Sequence, residues 1–300
     1  MGAEVRAEGC VEEARFLCDD HRMQHDITVR RMAFDFPEGL DPDFTPGSPE
    51  RSYNLIGLSL LLPYLEPYLI RTMKEAKSRL TDPDLVVDLE NFCAQEGQHY
   101  RQHIRFNRAL RLSGYPDLEG LEEKLAADYL RFSRTRSLRF NLAYAEGFEA
   151  LTTAFAVFVL ENPDELADDT PANELLKWHI VEELEHRTVA FDVYENVCGS
   201  YFYRLAVGLF AQWHFLRFVG RVARYMLRSS SEILEKYGGR DGLRKRRRAD
   251  AANSLKLLPK VLRTYLPWYT PHDIAMTEQM YEAAVQQSER AITTSRFQPD

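Results

Sequence analysis

Two Glu-x-x-His pairs, Glu96–His99 and Glu183–His186, sit in two long, helix-periodic segments and limit the folds open to this 300-residue chain. An i, i+3 spacing places both side chains of a pair on one helix face. In Trp178-His179-Ile-Val-Glu182-Glu183-Leu-Glu185-His186, Glu183 lies about 40° around the helix from His179, and His186 about 20° to the other side. Three side chains therefore share one narrow face. One such pair is cheap to find on a solvated helix, but two on two long helices are far less common by chance. Four-helix bundles hold two metal ions with pairs of this kind, plus one Glu from each of two further helices.

The chain offers those further helices. Residues 3–24 are charged and read as a helical lead-in. Residues 25–50 partly alternate (Ile27, Val29, Met32, Phe34, Phe36) and then carry prolines at 37, 42, 46 and 49, which reads as an extended arm with one short strand. From Ser52 the pattern is helical. The expected helices are 52–80, 83–113, 118–131, 137–160 and a last motif helix from after Pro171 to about Val197. The breaks are Thr81-Asp-Pro-Asp84, Gly114-Tyr-Pro116 and 161–171. This gives an organisation of arm (1–50), helical bundle (51–200) and packed C-terminal helices (201–300) within one structural domain.

Helix one supplies Glu66, among Leu60, Leu61, Leu62, Leu65 and Leu69. A carboxylate in such surroundings needs a partner. Pro63 and Pro67 flank it and suggest a kink or bulge. The third long helix supplies Glu146 and Glu149. In an antiparallel helix pair, residues equidistant from the turn lie level. Glu66 and Glu96 are equidistant from Thr81, and Glu149 and Glu183 from position 166, both at turns. Glu149 is therefore the better ligand candidate, with Glu146 beside it. Glu182 competes with Glu183 as a ligand, and Glu182, Glu185 and His103 are the candidates to orient the ligating histidines. Tyr144, Phe148, Thr152, Phe155 and Phe92 are expected in the core or lining a cavity.

Net charge is −8, which argues against nucleic acid as a partner. Cys10, Cys18, Cys93 and Cys198 show no Cys-x-x-Cys spacing and read as thiols of a reducing cytoplasm. The first residues have neither the pattern of a signal peptide nor that of a myristoylation site. Residues 201–227 are apolar enough in bulk to span a bilayer, but Arg204, His214, Arg217, Arg221 and Arg224 interrupt them. They read as an amphipathic packing helix, with membrane-surface contact as the second reading. Lys245-Arg-Arg-Arg248 reads as solvated.

Several longer runs carry a family resemblance: Arg30-Arg-Met-Ala-Phe-Asp35, Leu58-Ser…Pro63-Tyr-Leu-Glu66, Gln95-Glu-Gly-Gln-His99…His103…Phe106-Asn107, and Trp178-His179…Glu182-Glu-Leu-Glu-His186-Arg…Tyr194. Over roughly 27–270 the chain resembles the ferritin-like family labelled "predicted metal-dependent hydrolase". Its ligand pattern is also similar to that of the di-iron arylamine N-oxygenases, which carry a histidine four residues before the Glu of the last pair. That resemblance implies His179 as a seventh ligand. Pro67 departs from the aromatic expected there.

The expectation is thus an all-α, ferritin-like four-helix bundle with an N-terminal arm and additional C-terminal helices. Its dinuclear centre would hold two iron ions, with manganese the alternative, through Glu66, Glu96, His99, Glu149, His179, Glu183 and His186. The expected function is O2 activation to oxygenate a small organic substrate, with O2 as co-substrate and an external electron donor. The alternatives are a two-metal hydrolase and a non-catalytic iron-binding protein. Self-association as a homodimer is the remaining partner expectation.

Overall fold

The computed structural model describes residues 27–295 except 46, 113–114, 116–117 and 168, so the expected lead-in helix over 3–24, Cys10 and Cys18 lie outside the described residues. All regular structure among them is helical. The helices that matter for the site are α1 (Pro49–Ala76), α2 (Pro83–Arg111), α3 (Leu118–Thr135), α4 (Leu138–Glu161), α5 (Pro171–Glu185), α6 (Val189–Val197) and α7 (Tyr201–Ser229). Helices α8 (Ser231–Lys236), α9 (Gly239–Ser254), α10 (Leu258–Arg263) and α11 (Glu278–Ser295) follow.

Local chemistry sets the starts. Pro83 and Pro171 occupy the first turn, where no N–H is needed, and Asp82, Ser137 and Thr170 accept from the N–H of Asp84, Phe140 and Asn173. α1 pairs with α2 and α4 with α5, the pairs pack on one another, and α7 lies across α1 and α4. α4 is the one helix among the described residues long and apolar enough to cross a membrane, and 94% of its most apolar window is buried inside the protein. Two glycines let α4 and α7 approach closely: a Cβ on Gly147 would stand 2.3 Å from the Cα of Gly208.

The sequence expectations need three corrections. The arm forms no strand among the described residues. Met32 and Phe34 are buried as a period of two requires, but the backbone partners are side chains of α2. Gln95, Gln102 and Arg105 donate to the carbonyls of Thr28 (3.0 Å), Met32 (2.6 Å) and Phe34 (2.7 Å). The last motif helix does not run to Val197. It stops at Glu185 and resumes at Val189, and Arg187 Nη1 donates to the freed carbonyl of Leu184 (2.7 Å) and Nη2 to that of Ile274 (3.2 Å). The prolines make no bulge, since α1 stays α-helical through Pro63 and Pro67. Pro63 has no N–H to give Ser59 O, and Asn107 Nδ2 on α2 donates to that carbonyl instead (2.8 Å).

Candidate metal centre

The hairpins bring Glu66 (α1), Glu96 and His99 (α2), Glu149 (α4), and His179, Glu183 and His186 (α5 and its end) into one buried cluster. Three overlapping groups of ligand atoms, each within 4.8 Å of one another, can hold metal: Glu66/His99/His179, Glu96/His99/Glu183 and Glu96/Glu149/His186. Glu96 Oε1 lies 3.6 Å from His99 Nδ1 and 3.5 Å from His186 Nε2. Glu183 puts one oxygen 2.9 Å from His179 Nε2 and the other 3.4 Å from His186 Nε2. Each of these two carboxylates therefore stands between histidines on opposite sides of the cluster.

The donors fit a cation. Both oxygens of Glu66 and of Glu149, Glu96 Oε1, Glu183 Oε2, His99 Nδ1 and His186 Nε2 are buried with no hydrogen-bond partner. Leaving so many buried polar atoms unpaired is costly, and a cation held between them would remove that cost.

Hydrogen bonds also settle which imidazole nitrogens carry protons. A carbonyl can only accept, so Asn107 must turn its Nδ2 to Ser59 O, and its Oδ1 then accepts from Ser59 Oγ (2.7 Å). With its only hydrogen spent, Ser59 Oγ accepts from His103 Nδ1 (2.8 Å). His103 Nε2 then accepts from His179 Nδ1 (3.1 Å), which leaves the His179 Nε2 lone pair facing the cluster. Gln95 Nε2 donates to Thr28 O and to Glu185 Oε2 (2.9 Å), so its Oε1 accepts from His186 Nδ1 (2.9 Å) and frees His186 Nε2. His99 Nε2 donates to Glu182 Oε2 (3.0 Å) and frees Nδ1. With the outer nitrogens fixed as donors, all three imidazoles would turn a lone pair inward to a bound cation. Each is anchored from behind by an acceptor, the arrangement that orients metal ligands and raises their basicity.

The same crowding shifts acidities. Burial, followed by Glu96, Glu183 and Glu149, pushes Glu66 well above the carboxylate range. Burial and then Glu183 raise Glu149 to about 8. Burial opposes charge on His99, but Glu182 and Glu96 outweigh it and raise its pKa to about 9. For His186 burial is again outweighed, by Glu183 and Glu149, and the pKa is raised well above the imidazole range. Burial, with His179 and His99, keeps His103 neutral. Without metal, protons must therefore neutralise the cluster.

Among the residues expected around the ligands, Glu182 turns away from Glu183's position to His99, Trp178 Nε1 (2.9 Å) and Arg30 (3.3 Å). Glu185 binds Gln95 and Arg30 Nη2 (2.6 Å). His103 backs His179. Glu146 is a correction: it faces α7, where Oε1 accepts from the buried Arg204 (2.8 Å), and joins none of the donor groups. Arg204 lies against the rings of Phe191, Tyr201 and Tyr269, so an arginine inside an apolar run needed an acid, and Glu146 answers it. Phe92 packs its ring edge-on to His186, with centroids 4.7 Å apart, while Tyr144 and Phe148 are core, and Thr152 and Phe155 are half-buried. Reasoning from spacing missed Gln95, Ser59, Asn107 and Arg30 as positioning residues. The available signal was that all four lie inside the motif runs and are polar at positions the helix or arm period buries.

Fold and site together define an all-helical protein with a buried His/Glu metal-binding cluster. The family model described as "predicted metal-dependent hydrolase" matches residues 28–275, and the chain belongs to that family. No curated protein and no solved structure matches it. This family membership overturns the expectation of O2 activation, because it favours the hydrolase alternative and nothing in site or family supports an oxygenase.

Proposed function

We propose that the protein is a two-metal hydrolase on a ferritin-like bundle, the two helix pairs α1/α2 and α4/α5 each delivering their carboxylates level with one another. The observation that carries this reading is the placement of Glu96 and Glu183 between the histidines of two donor sets. One ion would be held by Glu66, His99 and His179, the other by Glu149 and His186, with Glu96 and Glu183 shared. A set of four carboxylates and three imidazoles, without thiolate, suits iron(II) or manganese(II). Bound divalent ions supply Lewis acidity toward a carbonyl or phosphoryl oxygen and lower the pKa of water.

The chain's own residues do the rest. Seven protein ligands leave limited room for water and substrate. The donors are unequal, however: an ion on the His179 side would draw on five residues and one on the His186 side on four, so access would lie beside Glu149. Glu182, Gln95 and His103 keep the three imidazoles in the ligating tautomer. The apolar side chains about Glu66 exclude bulk water from that half of the site.

The test is metal analysis by mass spectrometry on the native chain, followed by a hydrolysis screen on p-nitrophenyl esters and phosphate esters before and after chelation. About two ions per chain and hydrolysis that chelator abolishes and metal restores are expected. A stoichiometry of one or none, or hydrolysis indifferent to chelator, overturns the proposal.

A further inference from the structure

Charge is distributed very unevenly along this acidic chain. Residues 201–263 hold fifteen Lys and Arg against four Asp and Glu, a net +11 within a total of −8, which leaves −19 on the rest. The same region, extended to Trp268, carries more than half of the large exposed apolar side chains among the described residues. Eight of the fourteen large apolar side chains exposed among the described residues lie on α7 or between 255 and 268. On α7, Phe202, Leu209, Trp213 and Leu216 fall within an arc of about 60° on the face turned away from α1 and α4. Arg217, Arg224 and Arg228 continue the edge of that arc toward the C-terminus and are exposed, and Arg217 lies over the Trp213 ring at 5.0 Å. The 255–268 segment runs beside the N-terminal half of α7, held by Tyr201 Oη donating to Tyr265 O (2.7 Å) and by Tyr265 bonding to Gln212. It adds Leu262 and Trp268.

We infer that this face docks the protein on the surface of an anionic lipid bilayer, with the indoles and Phe202 in the headgroup–acyl boundary and the arginines on phosphate headgroups. The physical match is specific. An amphipathic helix lying in a bilayer interface pairs apolar and aromatic side chains with a basic flank, and tryptophan settles at that depth because its ring is apolar and its N–H is not. Arginine reaches the phosphates while its stem stays on apolar surface. A second copy of the chain fits less well, since α7 holds no Asp or Glu and a contact of this helix with itself would bring the arginines no anionic partner. A fully solvated role does not account for the tryptophans: Trp213 and Trp268 are 52% and 74% exposed, whereas Trp178 is fully buried.

The tryptophans also supply the probe. The full chain is floated with vesicles of phosphatidylcholine alone and of phosphatidylcholine mixed with phosphatidylglycerol, at low and high salt, and tryptophan emission is recorded alongside. Binding to the anionic vesicles only, weakened by salt and accompanied by a blue shift, is the expected result. Two sets of surface substitutions, checked for folding by circular dichroism, separate the contributions. Trp213→Ser with Trp268→Ser abolishes the blue shift. Arg217→Gln, Arg224→Gln and Arg228→Gln together lower partitioning by about fivefold per residue. The inference is overturned by equal affinity for neutral and anionic vesicles, or by no binding at low salt. It is equally overturned by a dimer in sedimentation that Trp213→Ser dissociates, which would make the face a self-association surface.

Discussion

Replacing Asn107 by alanine tests the proton relay behind His179 more sharply than replacing any ligand. Asn107 and Ser59 are both buried, and the substitution removes the Asn107 Nδ2 donor to Ser59 O (2.8 Å) and the Oδ1 acceptor for Ser59 Oγ (2.7 Å). Because Pro63 supplies no N–H, Ser59 O is left as a buried acceptor with no partner. The cost is about 2–3 kcal/mol, made up of lost bonds and an unsatisfied carbonyl. The freed Ser59 hydroxyl then donates to His103 Nδ1. The His103 proton moves to Nε2, and that of His179 moves to its own Nε2, the atom that faces Glu183. A protonated nitrogen cannot ligate, so metal affinity should drop roughly 10- to 100-fold.

Pro63→Ala separates the two effects. An alanine N–H restores the helix bond to Ser59 O, so in that background Asn107→Ala should cost about 1 kcal/mol less. The loss of metal affinity should persist, because the hydroxyl still lacks its acceptor. Stability comes from denaturant midpoints of the metal-free chain, and affinity from competition with a metal-binding dye. Equal costs of Asn107→Ala in both backgrounds would refute the account of Pro63, and unchanged metal affinity would refute the relay.

Three other outcomes follow from the same geometry. Glu66→Gln should stabilise the metal-free protein by about 1–3 kcal/mol, since a neutral amide relieves burial and the repulsion from Glu96, Glu183 and Glu149. The same variant should lower metal content, and mass spectrometry with thermal melts reads both. The pKa of Glu149 is raised to about 8 and that of His99 to about 9, so both groups hold protons more tightly when folded than when unfolded. Their contribution is full at low pH and is lost as pH rises through those values, so the metal-free stability should fall between about pH 5 and 9, by up to about 1.4 kcal/mol per pH unit for each proton released, and the melting temperature should fall with it. The stabilisation by added metal should grow over the same range, and a pH-independent metal shift would contradict this. Gly147→Ala drives a Cβ to 2.3 Å from Gly208 Cα and should destabilise by about 2 kcal/mol or more, measured by chemical denaturation.

Much of the donor cluster was legible in the sequence because it depends on two local regularities. Helical period decides which residues share a face, and that aligned His179, Glu183 and His186, and Glu96 with His99. Equidistance from a turn decides which residues of a hairpin lie level, and that selected Glu66 and Glu149. Both follow from backbone geometry that any helical sequence obeys. What a buried polar group bonds to across an interface depends on how two helices are rotated and how closely they approach, and no local pattern encodes that. Glu146 was therefore drawn to Arg204 on α7 and away from the cluster. Glu182 and Glu183, adjacent in the chain, were divided between His99 and the donor groups because the arm places Arg30 against one of them. The period of two in the arm was read correctly as extended backbone and wrongly as a strand, since only the packed structure reveals that its carbonyls meet Gln95, Gln102 and Arg105. The interruption at 186–188 has no proline or glycine to announce it, and depends on Arg187 finding the carbonyl of Ile274 far along the chain.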